Sequence, residues 1–99
     1  MASPYTVSYS AGVRSALQEL CARAAQRNLG DEILRAIKFI DEQLRGDPLA
    51  FGDPWNDLPE AKLRVLVRVV PPLTVVYGVH KEIPVVFPKA FLPFPSDAF

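Results

Sequence analysis

The chain has 99 residues, enough for one hydrophobic core and too few for a separate catalytic domain. Eleven basic and eleven acidic side chains leave a formal net charge of zero, which excludes whole-molecule steering toward nucleic acid and leaves only a local patch for such contact. The single cysteine excludes an internal disulfide, no apolar run reaches the roughly 20 residues of a membrane span, and the Met-Ala-Ser-Pro start does not read as a secretory signal, so a cytoplasmic location is the expectation.

In chain order, YTVSYS (residues 5–10) alternates β-branched and aromatic residues with polar ones and predicts a short strand. After Ser10, a candidate N-cap, Val13, Leu17, Leu20, Cys21 and Ala24 recur every three or four residues and predict an amphipathic helix. Gly30 is expected to stop it and Asp31 to cap a second helix, whose Ile33, Ile37, Ile40 and Leu44 share one face and which ends at Gly46-Asp47-Pro48. The pair forms an αα-hairpin with a very short turn. Lys38, Asp41, Glu42 and Arg45 stand at helical spacing and read as a solvated face. Cys21 lies on the apolar stripe and reads as a small hydrophobe rather than a nucleophile.

The next stretch, GDPLAFGDPWNDLPEAK (residues 46–62), carries three prolines and predicts an ordered loop without regular pairing, pinned by Leu49, Phe51, Trp55 and Leu58. Strand alternation then returns. Leu63, Val65, Val67 and Val69 fall on one face and Arg64, Leu66, Arg68 and Val70 on the other, and the first, fully apolar row is the expected core face. Pro71-Pro72 turns the chain into a second strand, in which Leu73, Val75, Tyr77 and Val79 alternate with Thr74, Val76, Gly78 and His80. A third strand is expected over about residues 83–87, at an edge or irregular because of Pro84 and Pro88. The expected fold is therefore a single α+β domain over 1–99: an N-terminal strand, an αα-hairpin on one sheet face, then a three-stranded antiparallel meander (β-α-α-β-β-β).

Residues 88–99, PKAFLPFPSDAF, make a Pro/Phe-rich C-terminal tail too apolar for free solvent. Phe87, Phe91, Leu92, Phe94 and Phe99 are the candidate partner-binding residues, with self-association into a homodimer through the tail or an edge strand as an alternative use. One histidine and one cysteine do not make a zinc site, and neither a glycine-rich phosphate loop nor a nucleophile elbow is present, so no metal and no cofactor is expected.

The order of elements, the helix end AIKFIDEQLRGDPLAFGDP and the hairpin LRVLVRVVPPLTVVYGVH together resemble the RelE/ParE toxin superfamily of bacterial type II toxin–antitoxin systems over roughly residues 5–87. That resemblance implies a small toxin neutralised by a cognate antitoxin, associated with growth inhibition and plasmid stabilisation. RelE-type members cleave mRNA on the ribosome; ParE-type members inhibit DNA gyrase by protein contact. RNA cleavage needs a base, an acid and cations around one phosphate. Thr74 stands where RelE-type members commonly place an arginine, and FPKAFLPFP offers only Lys89 where a cationic, tyrosine-bearing motif is usual. The remaining candidates for a diverged endoribonuclease site are Arg64 and Arg68 on the phosphate, His80 or Tyr77 in proton transfer and Lys89 against charge. Alternation places Tyr77 and His80 on opposite faces, and the competing reading is that both arginines solvate a sheet face. The resemblance thus favours a ParE-like contact toxin, with the nuclease and an inert interaction module as alternatives.

Overall fold

The computed structural model describes residues 4–95. Strand β1 (Thr6–Val7) leads into helices α1 (Ala11–Gln26) and α2 (Gly30–Gly46) and the single-turn α3 (Pro48–Phe51). Strands β2 (Asp53–Leu58), β3 (Leu63–Val70), β4 (Leu73–His80) and β5 (Val85–Pro93) follow. They form one mixed sheet in the order β1-β5-β4-β3-β2, in which only the β1–β5 pair is parallel.

Ser10 caps α1 as its residue type dictates, accepting a hydrogen bond from the Val13 amide at 3.1 Å. The helix stops before Gly30. Asn28 takes a left-handed conformation (φ 59°), with the Leu29 amide bonded to the Ala24 carbonyl and the Asn28 amide to that of Ala25. This is the double hydrogen bond of a Schellman stop, and asparagine tolerates the left-handed conformation better than most residues. Gly30 is thereby freed to open α2, and Asp31 sits in the first turn, not at the cap.

Three strand expectations are corrected. Residues 53–58 pair with β3 as an edge strand despite Pro54, because an edge strand tolerates a missing donor on its open side. Register shifts between Pro54 and Asn56, leaving Trp55 in the bulge at 65% exposed, so it pins nothing. The third meander strand is β5, which runs to Pro93 and lies inside the sheet between β1 and β4. Its register shift between Val76 and Tyr77 accommodates the stretch around Pro88, and half of the expected tail is strand.

The third correction concerns the faces of β3. The helices pack on the row containing Leu66: Tyr77 pairs with Leu66, Val75 with Arg68, Leu73 with Val70 and Val79 with Arg64, and directly paired residues share a face. The core beneath the helices joins Leu20, Ala24, Ile33, Ala36, Ile40 and Leu44 to Leu66, Leu73, Val75, Tyr77, Val79, Val86 and Phe91. The apolar row of β3 from Leu63 to Val69 contributes nothing to that cluster. It lies on the opposite face, where Leu63 packs over Gly78; a Cβ there would approach Leu63 Cδ1 to 3.3 Å.

Candidate functional site

Arg64 and Arg68 share the helix-side face, as alternation predicts, but Leu66 between them is buried and their head groups diverge. The Arg68 guanidinium stands over the Phe51 ring, 5.4 Å from its centroid. Phe51 in turn packs on Tyr77 (6.2 Å between centroids) and on Phe39 (6.0 Å). Tyr77 is fully buried, and its hydroxyl donates to the Pro48 carbonyl at 2.5 Å. Burial pushes its pKa up to about 12 against the opposing pull of the Gly52 main chain and the Arg68 charge. A phenol held neutral and spent on a carbonyl does not shuttle protons, so Tyr77 is a structural pin.

Arg64 sits at the far end of β3, where Nε stands 4.0 Å from an Asp57 oxygen, while Lys81 Nζ lies 3.1 Å from the other oxygen of the same carboxylate. A groove of about 270 Å³ opens here, lined by Tyr5, Leu49, Arg64, Val79, His80 and Lys81. The His80 ring is fixed from one side: Nδ1 accepts the amides of Glu82 at 3.0 Å and Ile83 at 3.2 Å. The Lys81 amide bonds to the Lys62 carbonyl at 2.9 Å, and Lys62 pairs with Glu82 at 3.0 Å, so the turn after β4 is tied to the start of β3.

Lys89 is elsewhere. Its ammonium stands 5.8 Å from the centroid of the Phe87 ring and lines two grooves beside the N-terminal end of α1, which share no residue with the Arg64 groove. Of the four nuclease candidates only Arg64 and His80 line one groove, and they start from opposite sheet faces, Arg64 pairing with Val79 and His80 with Leu63.

Among the candidate partner-binding residues, Phe87 is half-buried, Phe91 is buried in the core beneath the helices, and Leu92 and Phe94 are 50% and 43% exposed. Phe91 is therefore not available as a contact residue, because β5 turns it inward beside Val75. Leu92 pairs with Thr74, which pairs with Val69, giving an uncharged row across the face away from the helices. Phe99 lies outside the described residues.

Tyr5 and Lys81, which line the groove, and Asp57, which pairs with Arg64 and Lys81 beside it, are not among the site residues expected from the sequence. Tyr5 and Arg64 are 59 positions apart, and Asp57 falls in a stretch whose prolines signal a loop. No local spacing announces their meeting.

No protein-family model and no curated protein sequence matches the chain. The fold is similar to that of a chain in the crystal structure of the toxin–antitoxin complex RelBE2 from Mycobacterium tuberculosis, at 22% sequence identity. The match covers 89% of this chain and 95% of that one, with a TM-score of 0.59. The chain thus has an α+β fold of the RelE/ParE-like type, as its order of elements predicts.

Proposed function

We propose that the chain is the toxin-like component of a type II toxin–antitoxin pair, acting by protein–protein contact and neutralised by a cognate antitoxin. The observation that carries this reading is the likeness of nearly the whole fold to a chain of a toxin–antitoxin complex. The contact mode is supported by the scattering of the nuclease candidates: Arg68 is stacked on Phe51, Tyr77 is buried and hydrogen-bonded, and Lys89 lines separate grooves from Arg64 and His80. A base, an acid and a phosphate clamp acting on one ribose must lie within hydrogen-bonding reach of it together. Zero net charge points the same way, since binding along phosphates draws its affinity from released counterions. The uncharged row of Val69, Thr74 and Leu92, with Phe94 beyond it, is the surface we assign to the partner.

Inducing the chain alone in a bacterial host, while following transcript integrity and plasmid supercoiling, tests the mode of action. Growth arrest with intact transcripts is expected, and altered supercoiling would identify gyrase as the target. Cut transcripts would overturn the contact reading in favour of a ribosome-dependent mRNA endoribonuclease. Absence of arrest would leave an inert interaction module.

A further inference from the structure

We infer that β2 and the turn over Pro59–Ala61 form a strap that opens from the edge of β3 while the rest of the sheet stays closed, uncovering Leu63 and Val65. This device is independent of the toxin reading. The strap is anchored at both ends. Before it, Gly52 lies against Tyr77, where a Cβ would fall 2.5 Å from the hydroxyl. After it, Lys62 is fixed from the β4 side: its carbonyl accepts the Lys81 amide at 2.9 Å and its ammonium pairs with Glu82 at 3.0 Å. Lys62 also holds a left-handed conformation (φ 55°), which reverses the chain there.

Between these anchors little holds the strand. Every residue of β2 is exposed, and none joins the core beneath the helices. Its ladder is defective as well: Pro54 has no amide to give, Trp55 stands in the bulge, and the Asp57 amide donates to the side-chain oxygen of its neighbour Asn56 at 2.9 Å. Segments with few buried apolar contacts open at a free energy below that of the whole molecule. The fastening is a clasp at Asp57, whose carboxylate meets Lys81 at 3.1 Å and lies 4.0 Å from Arg64. All three side chains are exposed, so the clasp is weak and yields to salt. Beneath the strap, Leu63 and Val65 are buried although they lie on the face away from the helices, and their direct partners on β2 are Leu58 and Asn56. Opening bares both side chains together with the main-chain groups of β3 that pair with β2, an apolar strand edge of the kind that folded proteins keep covered.

Amide exchange followed by NMR on the full chain tests this. Amides of the β2–β3 ladder are expected to exchange together, about tenfold or more faster than those between β3 and β4. Asp57→Asn should speed the β2–β3 set by about two- to fivefold, the worth of an exposed ion pair, and leave the β3–β4 set unchanged. About 1 M sodium chloride should do the same to the parent and add nothing in Asp57→Asn. Glu60→Gln, which removes an equal charge from the strap without breaking an ion pair among the described residues, should have no effect. Alkylation of Val65→Cys in a Cys21→Ser background reads the uncovering directly and should accelerate with Asp57→Asn by the same factor. Exchange of both ladders at one rate, exchange or alkylation that ignores Asp57→Asn, or an equal response in Glu60→Gln would each overturn the assignment.

Discussion

Tyr77 and Gly52 show how much one contact decides. The Tyr77 hydroxyl reaches Pro48 only because position 52 lacks a side chain: a Cβ there would fall 2.5 Å from the hydroxyl and 3.0 Å from the Val67 carbonyl oxygen. Gly52→Ala is therefore expected to destabilise the protein by about 1–3 kcal/mol, as overpacking of a tight site does, measured by urea unfolding. Tyr77→Phe should cost a similar ~1–3 kcal/mol by leaving a buried carbonyl unpaired. Since the phenol's pKa is raised, its stabilising effect is complete below the unfolded value of about 10 and is lost as pH climbs toward about 12. The alkaline stability loss should accordingly be smaller in Tyr77→Phe than in the parent. A second knot lies at Asp41, which accepts from Tyr9 at 2.7 Å and Arg45 at 2.8 Å. Partial burial raises the Asp41 pKa, but these two hydrogen bonds and the Arg45 charge prevail and hold it below the ordinary carboxyl value. That contribution is present above an unfolded pKa of about 3.9 and lost as pH falls through the folded one. Thermal unfolding across acidic pH should show a shallower decline for Asp41→Asn; parallel curves would contradict this. Of these partnerships only the i,i+4 pair of Asp41 and Arg45 is legible in the sequence. Tyr9 and Asp41 are 32 positions apart, and a charge at helical spacing looks the same whether it is solvated or clasped by a tyrosine.

At the scale of elements, β3 is the instructive case. Period-two alternation establishes that the strand has two rows but not which row meets the helices, and here both rows are apolar enough to serve. The row with two arginines won because the Arg68 guanidinium can stand over Phe51 and Arg64 stands at the open end, while Leu66 enters the core and Val70 packs against it. Leu66→Ala should thus cost about 2–5 kcal/mol, whereas Val69→Ala, at a side 42% exposed, should stay within about 0.5 kcal/mol. Equal losses, or a larger one at Val69, would reverse the assignment of faces. The helices were legible because a 3.6-residue stripe spells one face unambiguously, as Val13 to Ala24 does. Strand β2 was not, since its edge pairing asks little of local sequence and proline is a poor guide there. The length of β5 was hidden for the same reason, with Pro88 and Pro93 inside a strand whose register shift absorbs the first of them.

At the scale of the molecule, the order of elements carried more information than any residue. Over roughly residues 5–87 it predicts the fold that the chain shares with a chain of a toxin–antitoxin complex, even though 22% identity leaves the site residues free to differ. No helix among the described residues is long and apolar enough to cross a membrane. The site was only half legible: Arg64 and His80 were named and do share a groove, but the strand topology that parts them from Lys89 becomes visible only when β5 takes its place inside the sheet. The proposed mode of action is toxicity through contact, not through RNA cleavage. Growth after induction of a variant carrying Arg64→Gln, Arg68→Gln, His80→Gln and Lys89→Gln together, compared with the parent and checked for equal folding, tests it most directly. Parent and variant are expected to arrest growth alike; arrest by the parent that the folded variant has lost would contradict the contact mode.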